Sequence, residues 1–330
     1  MGELLDQRRT DAAQRIDALR ISLADSERRC ATKACVYTTG SFGRVEGGQF
    51  SDLDLFIVGL SSDADALKSR LGMLDEILVK ADLIECTKEQ QFPPFSGDGE
   101  YLAHHSVRKL IGSLGKRNDD AENTFTARLL LLLESRPLVC RDVYDEVIDE
   151  TIAAYWRDYT DHKPDFMPAF LANDVLRLWR TLCINYEAGT STEPEDKKAK
   201  RKLKNFKLKH SRLLTCYSAL LHLLHTFRAR RTVSPEDAKE MVALTPTQRL
   251  EHLLDEQALN PVHARIRKLL EMYESFLNAT NRSEESLLQQ FLDHDQGRRL
   301  LSDAYAFGDL VFEVLNEIGQ GDRFHRLIVV

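Results

Sequence analysis

Two aspartates one residue apart, Asp52 and Asp54, stand in the stretch Ser51-Asp52-Leu53-Asp54-Leu55-Phe56-Ile57-Val58, which reads as a strand. Successive side chains of a strand point to opposite faces, so both carboxylates leave from one face while Leu53 and Leu55 pack behind them. Two carboxylates held that close repel unless a cation lies between them. An all-oxygen pair suits a hard ion, Mg²⁺ or Mn²⁺, and not zinc. Upstream, the apolar run Ala34-Cys35-Val36-Tyr37 breaks into Gly40-Ser41. Gly40 lets the backbone come close to a ligand, and Ser41 with its neighbouring N–H groups suits phosphate oxygens. A triphosphate bridging the turn and a metal ion is the occupant these residues fit.

Gly40-Ser41, ten intervening residues and then Asp52-Leu53-Asp54 resembles the signature of the polymerase-β nucleotidyltransferase superfamily. The fuller string Gly40-Ser41-Phe42-Gly43-Arg44-Val45-Glu46, with Ser51-Asp52-Leu53-Asp54-Leu55, is similar more narrowly to the nucleotidyltransferase domains of the PII-protein uridylyltransferase type. His105-Ser106-Val107-Arg108 and Leu133-Glu134-Ser135-Arg136-Pro137-Leu138 look like segments that follow the active-site strands in that group. The resemblance spans residues 34–145.

The resemblance implies an α+β chain, with a small mixed-sheet nucleotidyltransferase head followed by an all-α helical domain. It implies two Mg²⁺ or Mn²⁺ ions on Asp52, Asp54 and a third carboxylate, and a nucleoside triphosphate held by Gly40, Ser41 and Arg44. The third acid is expected on the strand after the next helix, which makes Asp82 the first choice. In the resembling group that acid stands just before the His-Ser-Val-Arg segment. Here Gln90 to Gly99 intervenes, with Pro93, Pro94 and Gly97, which keeps Glu100 and Glu85 as alternatives. The implied reaction moves NMP from ATP or UTP to an acceptor hydroxyl, on a protein by the narrower resemblance, and releases pyrophosphate. RNA or a small molecule as acceptor, synthesis of a cyclic or linear oligonucleotide messenger, and a non-catalytic nucleotide sensor stay open.

The rest of the chain must position these groups. At 330 residues, 43% apolar and 29% charged, it is long enough for two domains. No apolar run reaches the roughly 20 residues that span a bilayer, and the polar N-terminus is no signal peptide, so a cytoplasmic protein without membrane partners is expected. Six scattered cysteines with no Cys-x-x-Cys pair read as free thiols in the core. Residues 197–212 hold nine Lys or Arg and no acid, so with a net charge of −7 the remainder carries −16. One basic patch on an acidic chain attracts phosphate. In the resembling superfamily, helices after the head bring Lys or Arg to the phosphates, which marks Lys204, Lys207 and Lys209. A solvated face, or binding of an acidic macromolecule, is the other reading of that stretch.

Periodicity predicts one helix over 3–29, strands over 34–39 and 52–59, a helix over 66–80 with the apolar stripe Leu67, Leu71, Leu74, Ile77 and Leu78, and a buried strand over 81–86. Helices then follow over 106–114 and 125–133, with Pro137 as a stop and Glu134 bracing Arg136. From about 142 onward helices dominate, giving a head over 1–145 and a helical domain over 146–330. Ser234-Pro235 and Thr245-Pro246 each read as an N-cap followed by proline at the first helical position.

Overall fold

The computed structural model describes the chain except residues 1, 63–64, 66–67, 96–101, 118 and 188–194, and except the side chains of 187, 195 and 196. The chain is α+β and forms two compact units that divide between Arg157 and Asp158.

The first unit opens with α1 (Glu3–Ser22) and α2 (Ala24–Cys30), so the long N-terminal helix expected from periodicity is broken at Leu23. Next come β1 (Ala34–Thr39), the single helical turn α3 (Gly40–Gly43), β2 (Asp54–Gly59) and α4 (Met73–Glu89). Then follow β3 (His104–Ser106), α5 (Val107–Gly112), α6 (Thr124–Leu133), β4 (Arg136–Val139) and α7 (Arg141–Tyr155). The four strands make one mixed sheet in the order β3-β2-β1-β4. β1 runs antiparallel to both β2 and β4, while β2 and β3 are parallel. Every residue of β1 is buried, as expected for a central strand covered on both faces. On one face Tyr37 stacks on its cross-strand neighbour Phe56 and meets Tyr144 of α7 edge-on. The expected boundary at 145 thus falls inside α7, a helix that packs on this sheet.

Two local expectations are overturned. Of the helix predicted over 66–80, residues 66–67 lie outside the described residues, 68–72 are not helical and α4 begins at Met73, while the predicted strand over 81–86 is the second half of α4. Val79, Leu83 and Cys86 are its buried positions, at helical spacing, whereas Leu74, Ile77 and Leu78 are exposed. Before α4, Ser61 and Ser69 form an isolated antiparallel bridge.

The second unit contains, among its described residues, only helices. They are α8 (Tyr159–His162), α9 (Ala169–Glu187), α10 (Glu195–Lys207), a π-helical segment over Leu208–Arg212 and α11 (Leu213–Arg230). α12 (Pro235–Ala243), α13 (Pro246–Asp255), a 3₁₀ turn over Gln257–Leu259 and α14 (Asn260–Ala279) come next. α15 (Glu284–Leu292), α16 (His294–Gly319) and α17 (Arg323–Val329) close the unit. α11 is its hub, packing against α9, α12, α13, α16 and α17. Ser234 and Thr245 cap α12 and α13 with full capping boxes, closed by Asp237 and Gln248. All six cysteines are free, and no described helix is long and apolar enough to cross a membrane.

Candidate functional site

The antiparallel register sets Thr39 opposite Asp54, so the end of β1 and the start of β2 bring Gly40 and Asp54 together. A Cβ on Gly40 would lie 2.5 Å from Asp54 Oδ2, and Gly40 has φ of +64°. Glycine is needed here twice over, for a left-handed backbone and for the close approach of a carboxylate. β2 begins at Asp54, so Asp52 precedes the strand. Burial nonetheless alternates through this stretch: Asp52 is exposed, Leu53 buried, Asp54 half-buried and Leu55 buried. Ser41 is half-buried at the turn, and the Thr39 hydroxyl, paired across the ladder with Asp54, is buried without a hydrogen-bond partner.

Beneath the turn lies a charged network. Gly40 N–H donates to Glu134 Oε1 at 3.2 Å, and Arg44 Nη1 donates to Glu134 Oε2 at 2.8 Å. Arg44 Nε also donates to Glu46 Oε1 at 2.5 Å. The Arg44, Glu46 and Glu134 side chains are 7%, 2% and 0% exposed, so these groups fix geometry and do not face solvent. Sequence reasoning put Arg44 on the nucleotide; the structure puts it on two protein carboxylates. Glu134, expected to brace Arg136, instead spans Arg44 and the turn, and Arg136 Nη1 donates to the Ser135 carbonyl. A Cβ on Gly43 would lie 2.0 Å from the Glu134 carbonyl oxygen, which locks α3 against the end of α6.

The outer side of the turn is anchored by Phe42, fully buried and edge-on to Phe92. Arg15 lies over both rings, at 4.9 and 4.0 Å from their centroids, and its Nη1 donates to the Gly48 carbonyl. Arg15 is thus part of what holds the loop between the two aspartates and the turn, a role no local sequence signal shows.

Asp82 does not lie on a strand. It sits on α4, accepts a hydrogen bond from Ser26 Oγ at 2.9 Å and lies 3.4 Å from Arg29 Nε, both on α2. Glu85 is an exposed residue of the same helix, and Glu100 lies outside the described residues. Among the described residues, no group of three or more His, Cys, Asp or Glu side chains is gathered to hold a metal ion. What the turn offers is the Asp54 carboxylate in a glycine cradle with an orphaned hydroxyl beside it, and Asp52 two residues earlier in the chain. That donor set is of the kind that hard divalent ions take.

His105 belongs to β3, not to the start of a helix. Both ring nitrogens are buried without partners, and burial, with Lys109 and His104 nearby, holds its pKa down to about 4. Arg108 is exposed and faces Glu150 at 3.6 Å. In the helical unit, Lys204 and Lys207 are exposed, and with Lys200 they help hold the Glu284 carboxyl below its usual pKa. Lys209 is placed over the ring of Tyr305. A scan against protein-family models finds no match for this chain, and neither does a search of curated proteins.

Proposed function

We propose that the first unit is a metal-dependent nucleotidyltransferase head that moves NMP from ATP or UTP to an acceptor hydroxyl. The observation that carries this reading is the Asp54 carboxylate resting against the α-carbon of Gly40, whose left-handed backbone opens a serine-bearing turn. A surface Asp-x-Asp needs no such cradle. Asp52 and Asp54 hold divalent metal, Mg²⁺ or Mn²⁺, which when bound as a pair neutralises charge on the entering and leaving oxygens of an in-line displacement. Ser41 and the N–H groups of the turn take phosphate oxygens. Glu134 and Arg44 are positioning residues: they hold the turn from below while the aspartates face the substrate. Because β3 is parallel to β2, Leu102 and Ala103 lead into the sheet from the end at which Asp54 starts its strand. Of the three acids weighed as third carboxylate, Glu100 stands closest to that entry in sequence, whereas Asp82 is bonded to α2. Comparing Glu100→Gln with Asp82→Asn ranks them.

The test is pyrophosphate release from each labelled NTP with Mg²⁺ or Mn²⁺, alone and with lysate, followed by separation of small products, protein and RNA. Label entering a protein supports the favoured acceptor. Label in a new small molecule without lysate assigns oligonucleotide synthesis instead. A second reading, a nucleotide sensor without catalysis, is favoured by one observation: Asp82 is tied to α2 and no three-ligand cluster exists among the described residues. Saturable NTP binding with no release under any of these conditions is its signature.

A further inference from the structure

The helical unit holds a second concentration of chemistry that the head does not use. Beside α10 and the first half of α16, two helices that pack together, is an open cleft of about 390 Å³. Lys202, His294, Arg298, Leu301, Ser302 and Tyr305 line it. The volume is within the range of small-molecule sites.

Two of the cations in this cleft, Lys202 and Arg298, are not matched by acids among the described residues. Among the described residues Lys202 has no carboxylate partner, and the contact of Arg298 is with another basic group, His294 Nε2, at 3.5 Å. The neighbouring acids are engaged elsewhere. Glu284 pairs with Lys200 at 3.0 Å, and Asp293 caps α16 by accepting from the N–H groups of Asp295 and Gln296. Asp295 lies 3.8 Å from His294 and is largely exposed.

An exposed lysine-rich helix is ordinarily a solvated face. The aromatic ring in this cleft departs from that pattern. Tyr305 is 58% exposed, yet its ring carries Lys209 Nζ at 3.6 Å from the centroid. Lys209 belongs to the π-helical segment, whose looser i→i+5 turn is rare and recurs at functional positions. The segment is pinned from inside: His210 stacks on Phe276 at 4.6 Å and 6°, and Ser211 Oγ donates to the Lys207 carbonyl at 2.8 Å. Buried aromatic packing of His210 therefore sets the backbone from which Lys209 reaches the Tyr305 ring.

We infer that this cleft is a binding site for a phosphorylated aromatic ligand of mononucleotide size, built from residues of the helical unit alone. Its phosphate is held by Lys202 and Arg298, and its base lies against Tyr305. Arginine grips phosphate oxygens in a bidentate fork, lysine adds a point charge, and stacking on an aromatic ring tolerates any base. A single-stranded nucleic acid needs successive aromatic platforms, and the cleft offers one ring.

The test is equilibrium dialysis of the full chain against labelled AMP, with inorganic phosphate and a short unstructured RNA as competitors. The Asp54→Asn background keeps the two sites apart. Lys202→Ala with Arg298→Ala is expected to weaken AMP binding about tenfold or more by removing two charge-assisted contacts. Tyr305→Ala is expected to weaken it about fivefold or more, with Tyr305→Phe close to wild type, because stacking and not the hydroxyl is used. Asp54→Asn should leave this binding unchanged, and the paired cleft substitution should leave Asp54-dependent pyrophosphate release unchanged. AMP binding indifferent to the cleft substitutions overturns the site. Loss with the cations but not with Tyr305→Ala, or RNA binding without AMP binding, overturns the ligand class. Failure of the nucleotidyltransferase reading leaves the AMP and RNA binding outcomes readable, since they do not depend on turnover.

Discussion

The turn of the first unit and the cleft of the second both hold arginine and use charge in opposite ways. Around Gly40 the arginine and two of the glutamates are buried and bonded to one another: Arg44 spends its guanidinium on Glu46 and Glu134. Around Tyr305 the cations stand at the surface, and Lys202 and Arg298 meet no acid among the described residues. Buried charges are costly unless paired and hydrogen-bonded, so where they occur they specify one geometry. Exposed, unmatched charges contribute little to the fold and are left for a ligand. The difference separates groups that hold a site from groups that use it.

The largest effect that sharpens this contrast comes from a second buried pair in the first unit, Asp119 with Arg128. Both side chains are fully buried, Arg128 also donates to Tyr155 Oη and the Leu110 carbonyl, and Ser113 and Thr124 donate to Asp119. Asp119→Ala removes the carboxylate that Arg128 Nη1 and Nη2 donate to and is expected to cost about 3–5 kcal/mol, read as a fall in the denaturation midpoint of the first unit. Burial pushes the Asp119 carboxyl up, but the hydrogen bonds and charge of Arg128 outweigh it and leave its pKa below the usual range. Its contribution is therefore present above the ordinary carboxylate pKa and fades as pH falls through the native value. A midpoint unmoved by the substitution would remove the contrast.

Next comes one of the buried histidines of the helical unit, His210. Burial holds His210 down to about 4 against an ordinary 6.5. Between those values the unfolded chain binds the extra proton, so stability is full above pH 6.5 and falls on acidification, by about 3 kcal/mol at pH 4. His210→Phe should reduce that slope in a pH series of urea melts, leaving the part contributed by His222, which burial holds down to about 3, and an unchanged slope would reject the assignment. Smaller still is Gly40→Ala, expected to cost about 1–2 kcal/mol for the left-handed backbone alone. Its effect on turnover should be far larger than on stability, because the added Cβ displaces Asp54. Equal, small effects on both would mean that the cradle has no catalytic use. At the bottom, Lys200→Ala breaks a more than half-exposed pair with Glu284 and should change stability by roughly 0.5 kcal/mol or less.

What was legible in the sequence follows the range of the forces involved. The β1–turn–β2 unit could be read because its determinants are local: an apolar strand, a glycine turn and a second strand within 26 residues, Ala34 to Gly59. The N-caps Ser234 and Thr245, each followed by proline, were legible for the same reason. α4 was misread although Val79, Leu83 and Cys86 carried the helical period, because the apolar residues before them, Leu74, Ile77 and Leu78, suggested a different buried stripe and an earlier start. The misreading moved Asp82 onto a strand that does not exist. Glu134 bonds Arg44 across 90 residues, and Lys209 meets Tyr305 across a separation no local pattern spans. Such pairings are set by tertiary packing, so the positioning residues of the turn and the cleft emerge only in three dimensions.

The central claim is that Asp54, cradled by Gly40, turns over a nucleoside triphosphate. The most direct measurement is pyrophosphate release by wild type, Asp54→Asn and Asp52→Asn with ATP and UTP, Mg²⁺ or Mn²⁺ and lysate, alongside their thermal melts. The account predicts release by wild type that falls by orders of magnitude in both variants while the melts stay close together. Release that persists undiminished in both variants, or no release by the wild-type protein with any triphosphate, metal or acceptor supplied, would contradict it.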